Sequence, residues 1–401
     1  MNETNQASEA ASDRRDRREL KHSRAMYFGY YLAIGAFIPY INLYYERMGL
    51  SGVQIGTLAA ISVLVASLTV LFLGGIADVF TWHNHILRIA LLLCPIAVFI
   101  LSKATSFTAL IPIVILYAFF NSPIVPILDS SALEAANTHR DTYGNLRIWG
   151  TIGWSISTLL VGKLIDSFDI RWLFYSYIAF MLFTFLLSLS HPIRIAHLRS
   201  PLGQGLHQLL RSHFFIFLLA IFLLSMTSGA FHSFFSIYLD GIGADEALIG
   251  LAWTLASLSE IPIMLGSGYF IQKIGAGGLL KISFVAYALR WLLLSFISTP
   301  LCALLVQLLH GLSFAAFLVG GITYINRLAP EGLSTTAQAI FNSVSFGLGS
   351  IMGSLVAGYF YDTWGMAAMF RVLCLIALIG LFVFYLSGKL QEKANKAPIP
   401  A

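Results

Sequence analysis

Arg147, Gly150, Thr151 and Trp154 stand at positions i, i+3, i+4 and i+7 of a run that stays almost wholly apolar until Lys163. On a helix these positions share one face, so a guanidinium and an indole flank a gap lined by small residues, with room for a ligand. A planar fork that donates two hydrogen bonds beside a flat ring suits a hydroxyl-rich ring or a carboxylate. Asp129, eighteen positions earlier, adds an acid from the preceding apolar run. The second half of the chain has its own set, Glu260, Arg290 and His310, one in each of three successive apolar runs. That set combines an acid, a base and a group that titrates near neutrality, which is the equipment of proton coupling.

The elements that must hold these groups follow from composition. Of 401 residues, 58% are hydrophobic and 11% charged, where a soluble domain carries about 25% charged residues. A bilayer core of roughly 30 Å needs about 20 helical residues per crossing, and twelve apolar runs are long enough: 25–45, 53–77, 86–102, 108–136, 145–165, 170–190, 213–239, 247–271, 279–298, 300–328, 334–360 and 366–387. Backbone amides in hydrocarbon must be satisfied within the segment, so these runs are helices. Prolines such as Pro123 and Pro126 are tolerated there as kinks. An ionised group at bilayer depth costs ~2.5–3.5 kcal/mol even on the lenient insertion scale, so each charge inside a run requires a partner or a function. Structural ion pairs, Asp129 with Arg147 and Glu260 with Arg290, are the alternative to a functional reading.

Most of the 24 Lys and Arg residues fall in the tails and in the connections on the side of the N-terminus. The other side has only Arg47, Lys103, Lys163, Arg171 and Arg371. Positive residues collect in the cytoplasm, so both termini are expected there, in the inner (plasma) membrane. This asymmetry also explains the pI near 9.0; with no aromatic-basic groove, no nucleic-acid partner is expected. Cys94, Cys302 and Cys374 lie in apolar runs without metal-ligand spacing, so no disulfide framework or zinc site is expected. The absence of a nucleophile–base pair or a phosphate loop argues against an enzyme, and no cofactor is expected.

The longest interruption, 191–212, falls almost at the midpoint, and the halves repeat. Gly35, Ala36 and Phe37 recur as Gly229, Ala230 and Phe231; Tyr44 as Tyr238; Gly49 as Gly243; Ile55 and Gly56 as Ile249 and Gly250, all 194 positions on. Gly162 and Asp166 recur as Gly358 and Asp362. The expected organisation is a disordered cytoplasmic tail (1–24), a six-helix bundle (25–190), a cytoplasmic linker with an amphipathic helix (191–212), a second six-helix bundle (213–388) and a tail (389–401). The fold class is thus an all-α integral membrane protein with twelve transmembrane helices in two pseudo-symmetric bundles. Such internal symmetry is the mark of a transporter whose solute site lies between the halves.

The residues SPIVPILD (122–129) and YGNLRIWG (143–150) resemble the major facilitator superfamily, and within it the proton symporters that include lactose permease and phenylpropionate permease. The likeness spans nearly all of residues 25–388. It implies that Asp129, Arg147 and Trp154 bind the solute and that Glu260, Arg290 and His310 link it to the proton. Two departures matter: Ser313 stands where lactose permease has a second carboxylate, and the acid of that permease's eighth helix is about a turn from Glu260. Glu260 is therefore expected to carry the proton. The segment 74–88 resembles the superfamily's loop between helices two and three, with Asp78 kept and His83 and His85 in place of its basic cluster. The fifth run lacks the Gly-Pro motif of drug:proton antiporters, which favours uptake. The resulting expectation is proton-coupled symport of a small organic solute, a sugar or glycoside before an aromatic acid or nucleoside, by a monomer. An exporter or uniporter on the same fold, and a membrane ligand sensor, are the alternatives.

Overall fold

A computed structural model describes residues 2–139, 142–190, 212–330 and 333–396, and the elements among them are all helical. In chain order they are α1 (Asn2–Arg47), α2 (Gly52–Phe80), α3 (His83–Leu101), α4 (Phe107–Asn121), α5 (Ile124–His139), α6 (Tyr143–Ser167) and α7 (Trp172–Ser190). After the linker come α8 (Ser212–Gly241), α9 (Glu246–Leu265), α10 (Ser267–Leu294), α11 (Pro300–Gln307), α12 (Ala316–Leu328), α13 (Ser334–Asn342) and α14 (Ser350–Lys396). α1 begins at Asn2, running back through the segment expected as a disordered tail. That segment is rich in Ala, Glu and Arg, which are good helix formers. The linker 191–211, with its expected amphipathic helix, lies outside the described residues.

The breaks between spans have local causes. Pro123, which has no N–H to give and a ring that disfavours helix before it, separates α4 from α5 inside one apolar stretch, Phe107–His139, where an unbroken helix was expected. Gly275 (φ 72°, ψ 165°) and Gly365 (φ 79°, ψ 173°) each turn the chain with a single left-handed residue inside α10 and α14; only glycine takes such angles without strain. Ten stretches are long and apolar enough to cross a membrane. The last contains the Gly365 turn and so two crossings, and with α1 the spans number twelve.

The chain divides into two compact units, one of residues 1–44 and 65–198, the other of residues 45–64 and 199–401. The sequence repeat is visible at two helix ends. After α1, Gly49 (φ 85°) donates its N–H to Glu46 O at 2.8 Å while Leu50 donates to Tyr45 O at 3.1 Å. After α8, Gly243 (φ 87°) donates to Asp240 O at 2.9 Å while Ala244 donates to Leu239 O at 2.9 Å. Both are the same glycine-terminated helix end.

In lipid the hydrophobic effect does not drive helices together, so close approach through small residues matters more. Leu71, Phe72, Leu305 and Phe382 are each more than 60% exposed, as a lipid-facing surface permits. Inside the first unit Phe37 packs its ring against Tyr117, Phe174 and Tyr177; inside the second, Phe231 packs against Phe235, Trp253 and Trp291. Two π-helical segments, Gly311–Ala315 between α11 and α12 and Ser343–Gly349 between α13 and α14, interrupt the α-helical register. At the first, the Gly311 N–H donates to Ser259 Oγ at 2.9 Å, and a Cβ on Gly311 would land on the Ser259 carbonyl oxygen. Gly311→Ala is expected to destabilise the protein by about 1–3 kcal/mol through overpacking. Gly74→Ala, at a helical glycine with open space around it, should be neutral or slightly stabilising. Thermal unfolding of both variants in detergent checks the contrast.

Candidate functional site

In the first unit α5 carries Asp129 and α6 carries Arg147. Thr142 fixes where α6 starts, its side chain accepting the Asn145 N–H at 3.3 Å. Asp129 Oδ1 accepts hydrogen bonds from Tyr27 at 2.5 Å, Tyr143 at 3.0 Å and Arg147 Nη1 at 3.4 Å. Arg147 Nη1 also donates to Tyr31 at 2.8 Å, and the guanidinium lies 5.4 Å from the centre of the Tyr31 ring. The structure thus brings Asp129 and Arg147 together, bound more by tyrosine hydroxyls than by each other. Among the described residues these bonds use one carboxylate oxygen and one guanidinium nitrogen. No hydrogen bond to Oδ2 or from Nη2 is made among them, and both side chains are about a third or more exposed.

Trp154 lies two turns further along α6, half-buried. The gap expected between it and Arg147 is not open: a Cβ on Gly150 would meet the Tyr31 ring at 2.8 Å, so Gly150 serves to admit that ring. The helical spacing showed the shared face but could not show that α1 covers it. Tyr27, Tyr31 and Tyr143 are the functional residues that sequence reasoning missed. Their signal was the i, i+4 pair of tyrosines in the first span and the tyrosine opening the YGNLRIWG motif.

In the second unit His310 Nε2 lies 3.3 Å from Glu260 Oε1. Arg290, whose ion pair with Glu260 was the alternative to a functional reading, is completely buried and makes its hydrogen bonds elsewhere. Its Nη1 donates to Ser313 Oγ at 2.7 Å, its Nη2 donates to Gln307 Oε1 at 3.0 Å, and its guanidinium stacks 4.8 Å from Phe231 and 5.0 Å from Trp291. Ser313 lies in the π-helical segment Gly311–Ala315 that follows α11 and His310; Ser283 Oγ in turn donates to the Ser313 carbonyl at 2.8 Å. Gln307, His310 and Ser313 follow at three-residue intervals in an apolar run, a signal legible in the sequence. His232, on α8, has its ring centre 6.4 Å from that of His310 and donates Nδ1–H to the Ser228 carbonyl at 2.9 Å, which leaves its Nε2 as an acceptor.

Beside His232 the second unit encloses a cavity of about 220 Å³, lined by Ser225, Ser228, Ser233, Ser345, Ser350 and Ser354 and by the rings of Phe314, Phe317 and Phe346. Ser225 and Ser345 are buried with hydroxyl oxygens that have no hydrogen-bond partner among the described residues. An unmet buried hydroxyl costs about 1–3 kcal/mol, which a hydroxyl-bearing ligand would recover. These serines come from α8, α14 and the second π-helical segment and share no spacing, so no motif announces them.

Twelve apolar helices in two repeated sets, with acid and base inside each, define a multi-pass membrane transporter. Residues 20–372 match the MFS_1 like family, and the chain belongs to that family and so to the major facilitator superfamily. It is 28% identical over 379 residues to the maltose permease of Geobacillus stearothermophilus, covering 92% of this chain and 95% of that protein. It is 27% identical over 368 residues to the probable 3-phenylpropionic acid transporter of Escherichia coli (strain K12), covering 89% of this chain and 95% of that one. Among solved structures, a crystal structure of the nucleoside transporter NupG superposes with a TM-score of 0.79 at 19% identity, over 92% of this chain and 99% of that chain. That likeness shows the fold.

Proposed function

We propose that the protein is a proton-coupled symporter that imports a small hydroxyl-bearing solute, of sugar or glycoside class, across the inner membrane. In this reading it works as a monomer with both termini in the cytoplasm. The observation that carries the proposal is the contact between His310 Nε2 and Glu260 Oε1 at 3.3 Å. A carboxyl group beside an imidazole, both inside membrane spans, is read as functional by default. Asp129, Arg147 and Trp154 are assigned to solute recognition, Glu260 and His310 to the proton, and Arg290 to positioning Ser313 and Gln307 beside them. The sugar class is supported by the serine-lined cavity, by the exposed carboxylate and guanidinium of Asp129 and Arg147, and by the likeness to a maltose permease. An aromatic acid, as the name of the E. coli relative suggests, is the second reading. It is favoured by the guanidinium and the phenylalanine rings and opposed by Asp129.

The test uses the purified protein with maltose, an aryl glucoside, a nucleoside and 3-phenylpropionate. A solute at a hundred times its dissociation constant stabilises the folded state by about 2.7 kcal/mol, which thermal unfolding detects. A sugar or glycoside is expected to raise the melting temperature and, in proteoliposomes, to accumulate when the outside is made acidic. Stabilisation by the nucleoside or by 3-phenylpropionate alone would overturn the substrate class. Equilibration without any response to the pH gradient would make the protein a uniporter.

A further inference from the structure

The second unit has another cavity, of about 420 Å³, which the transport reading does not use. It lies where α10 restarts after Gly275, between the end of α12 and the end of the chain's last helix. Its rim carries three exposed cations, Lys281 on α10, Arg327 on α12 and Lys389 on α14, with no Asp or Glu among its lining residues. Three positive charges from three helices thus surround a cavity in the ligand-sized range of about 300–1,000 Å³, an arrangement that favours an anion. The chain also turns at Gly275 with φ 72°, so the helix beginning at Ala276 presents its first N–H groups at the same place. Tyr324 OH donates to Gln391 Oε1 at 3.1 Å across the cavity's inner side, and Phe384, 3% exposed, forms part of its wall.

What decides the kind of anion is the surface that leads away from the rim. Tyr385, Phe382, Leu378 and Leu375 recur at intervals of three and four along α14 and are 48%, 61%, 46% and 58% exposed. Together they make one apolar stripe that begins at the basic cavity and runs along the membrane-facing side of the last span. A soluble anion has no use for such a stripe, whereas acyl chains do. The three cations belong to the side on which positive residues collect, the cytoplasmic leaflet, and basic pockets between helices on that side suit anionic headgroups.

We propose that this cavity holds the phosphate of an anionic phospholipid, with Lys281, Arg327 and Lys389 as its ligands and the α14 stripe as the bed of an acyl chain. The proposal does not rest on the symport reading and assigns a site to none of the solute or proton groups.

The experiment compares the full-length protein with the triple variant Lys281→Gln, Arg327→Gln, Lys389→Gln in lipid nanodiscs and by native mass spectrometry from detergent. The control variant is Lys103→Gln, Lys163→Gln, Arg171→Gln, which removes the same charge elsewhere. The probes are phosphatidylglycerol, phosphatidylcholine and inorganic phosphate. The wild type and the control are expected to retain phosphatidylglycerol and to melt several degrees higher with it than with phosphatidylcholine. At about 1 kcal/mol per cation, the triple variant should bind phosphatidylglycerol roughly 100-fold more weakly while keeping the wild-type melting temperature in phosphatidylcholine. Equal retention by the triple variant, or equal stabilisation by phosphatidylcholine, would overturn the site. Protection by inorganic phosphate that the triple variant loses, with no gain from phosphatidylglycerol, would keep the phosphate site and overturn the lipid as its source.

Discussion

Arg147→Lys is expected to lower solute uptake at least 100-fold although it keeps the positive charge. Arg147 Nη1 gives two hydrogen bonds from one nitrogen, to Tyr31 and to Asp129, while its plane lies over the Tyr31 ring. A guanidinium can do all three and still offer its second terminal nitrogen to a ligand. An ammonium is a compact, strongly hydrated point charge that cannot stack in that way or present a fork. A hydrogen bond to a charged group contributes about 1.5–3 kcal/mol, so losing two of them at the ligand spans about two to four powers of ten. The measurement is initial uptake in proteoliposomes together with solute binding and thermal unfolding of the same preparation. Loss of uptake and binding with an unchanged melting temperature is the expected pattern. Wild-type transport by the Lys variant would reduce Arg147 to an ion pair that holds α5 against α6. Asp129→Asn should fail with it, because an amide would have to turn its own N–H groups away from the two tyrosine hydroxyls that now donate to the carboxylate.

The charged part of this site was legible because hydrocarbon leaves so few reasons for a charge. Asp129, Arg147, Glu260 and Arg290 stand out against a background that is 58% hydrophobic, and the burden of explaining each falls on its partner. Tyrosine has no such contrast: it is common in membrane spans and at their ends, so Tyr27 and Tyr31 are unremarkable until α1 is seen to lie against α6. The helices and their repeat could be read for the same reason that apolar runs can, from length alone. Local breaks were harder. Gly275 and Gly365 look like any other glycine of a close-packed bundle, and only the φ of each shows that one residue makes the whole connection. The π-helical segments were invisible, since such single-turn departures are rare and no residue pattern marks them. The first of them contains Ser313, which accepts a hydrogen bond from Arg290.

Under the proposed symport, the arrangement around Arg290 bears on how the proton is carried and sharpens the case of Glu260→Gln. Arg290 donates its hydrogen bonds to neutral acceptors, and His310 Nε2 lies 3.3 Å from the Glu260 carboxylate. A proton can therefore lie on the carboxylate or on the imidazole, and a small change in their separation or in access of water redistributes it between the two. His232, bonded through Nδ1 to the Ser228 carbonyl, is the neighbouring imidazole, its ring centre 6.4 Å from that of His310. Glutamine in place of Glu260 keeps a hydrogen-bonding side chain of the same length beside His310 but cannot gain or lose a proton. The variant is expected to bind solute within about twofold of the wild type, since twofold is roughly 0.4 kcal/mol, and to exchange internal for external solute at a similar rate. Concentrative uptake driven by an imposed pH gradient should fall to simple equilibration, and solute-driven proton entry should vanish. Both are read in the same proteoliposomes, with labelled solute and an internal pH dye. His310→Gln separates the two members of the pair: it should slow every mode of transport, because it disturbs the partner while the carboxylate still titrates, and leave a residual gradient response. If Glu260→Gln still concentrates solute against a gradient while His310→Gln does not, the imidazole carries the proton and the carboxylate only holds it in place.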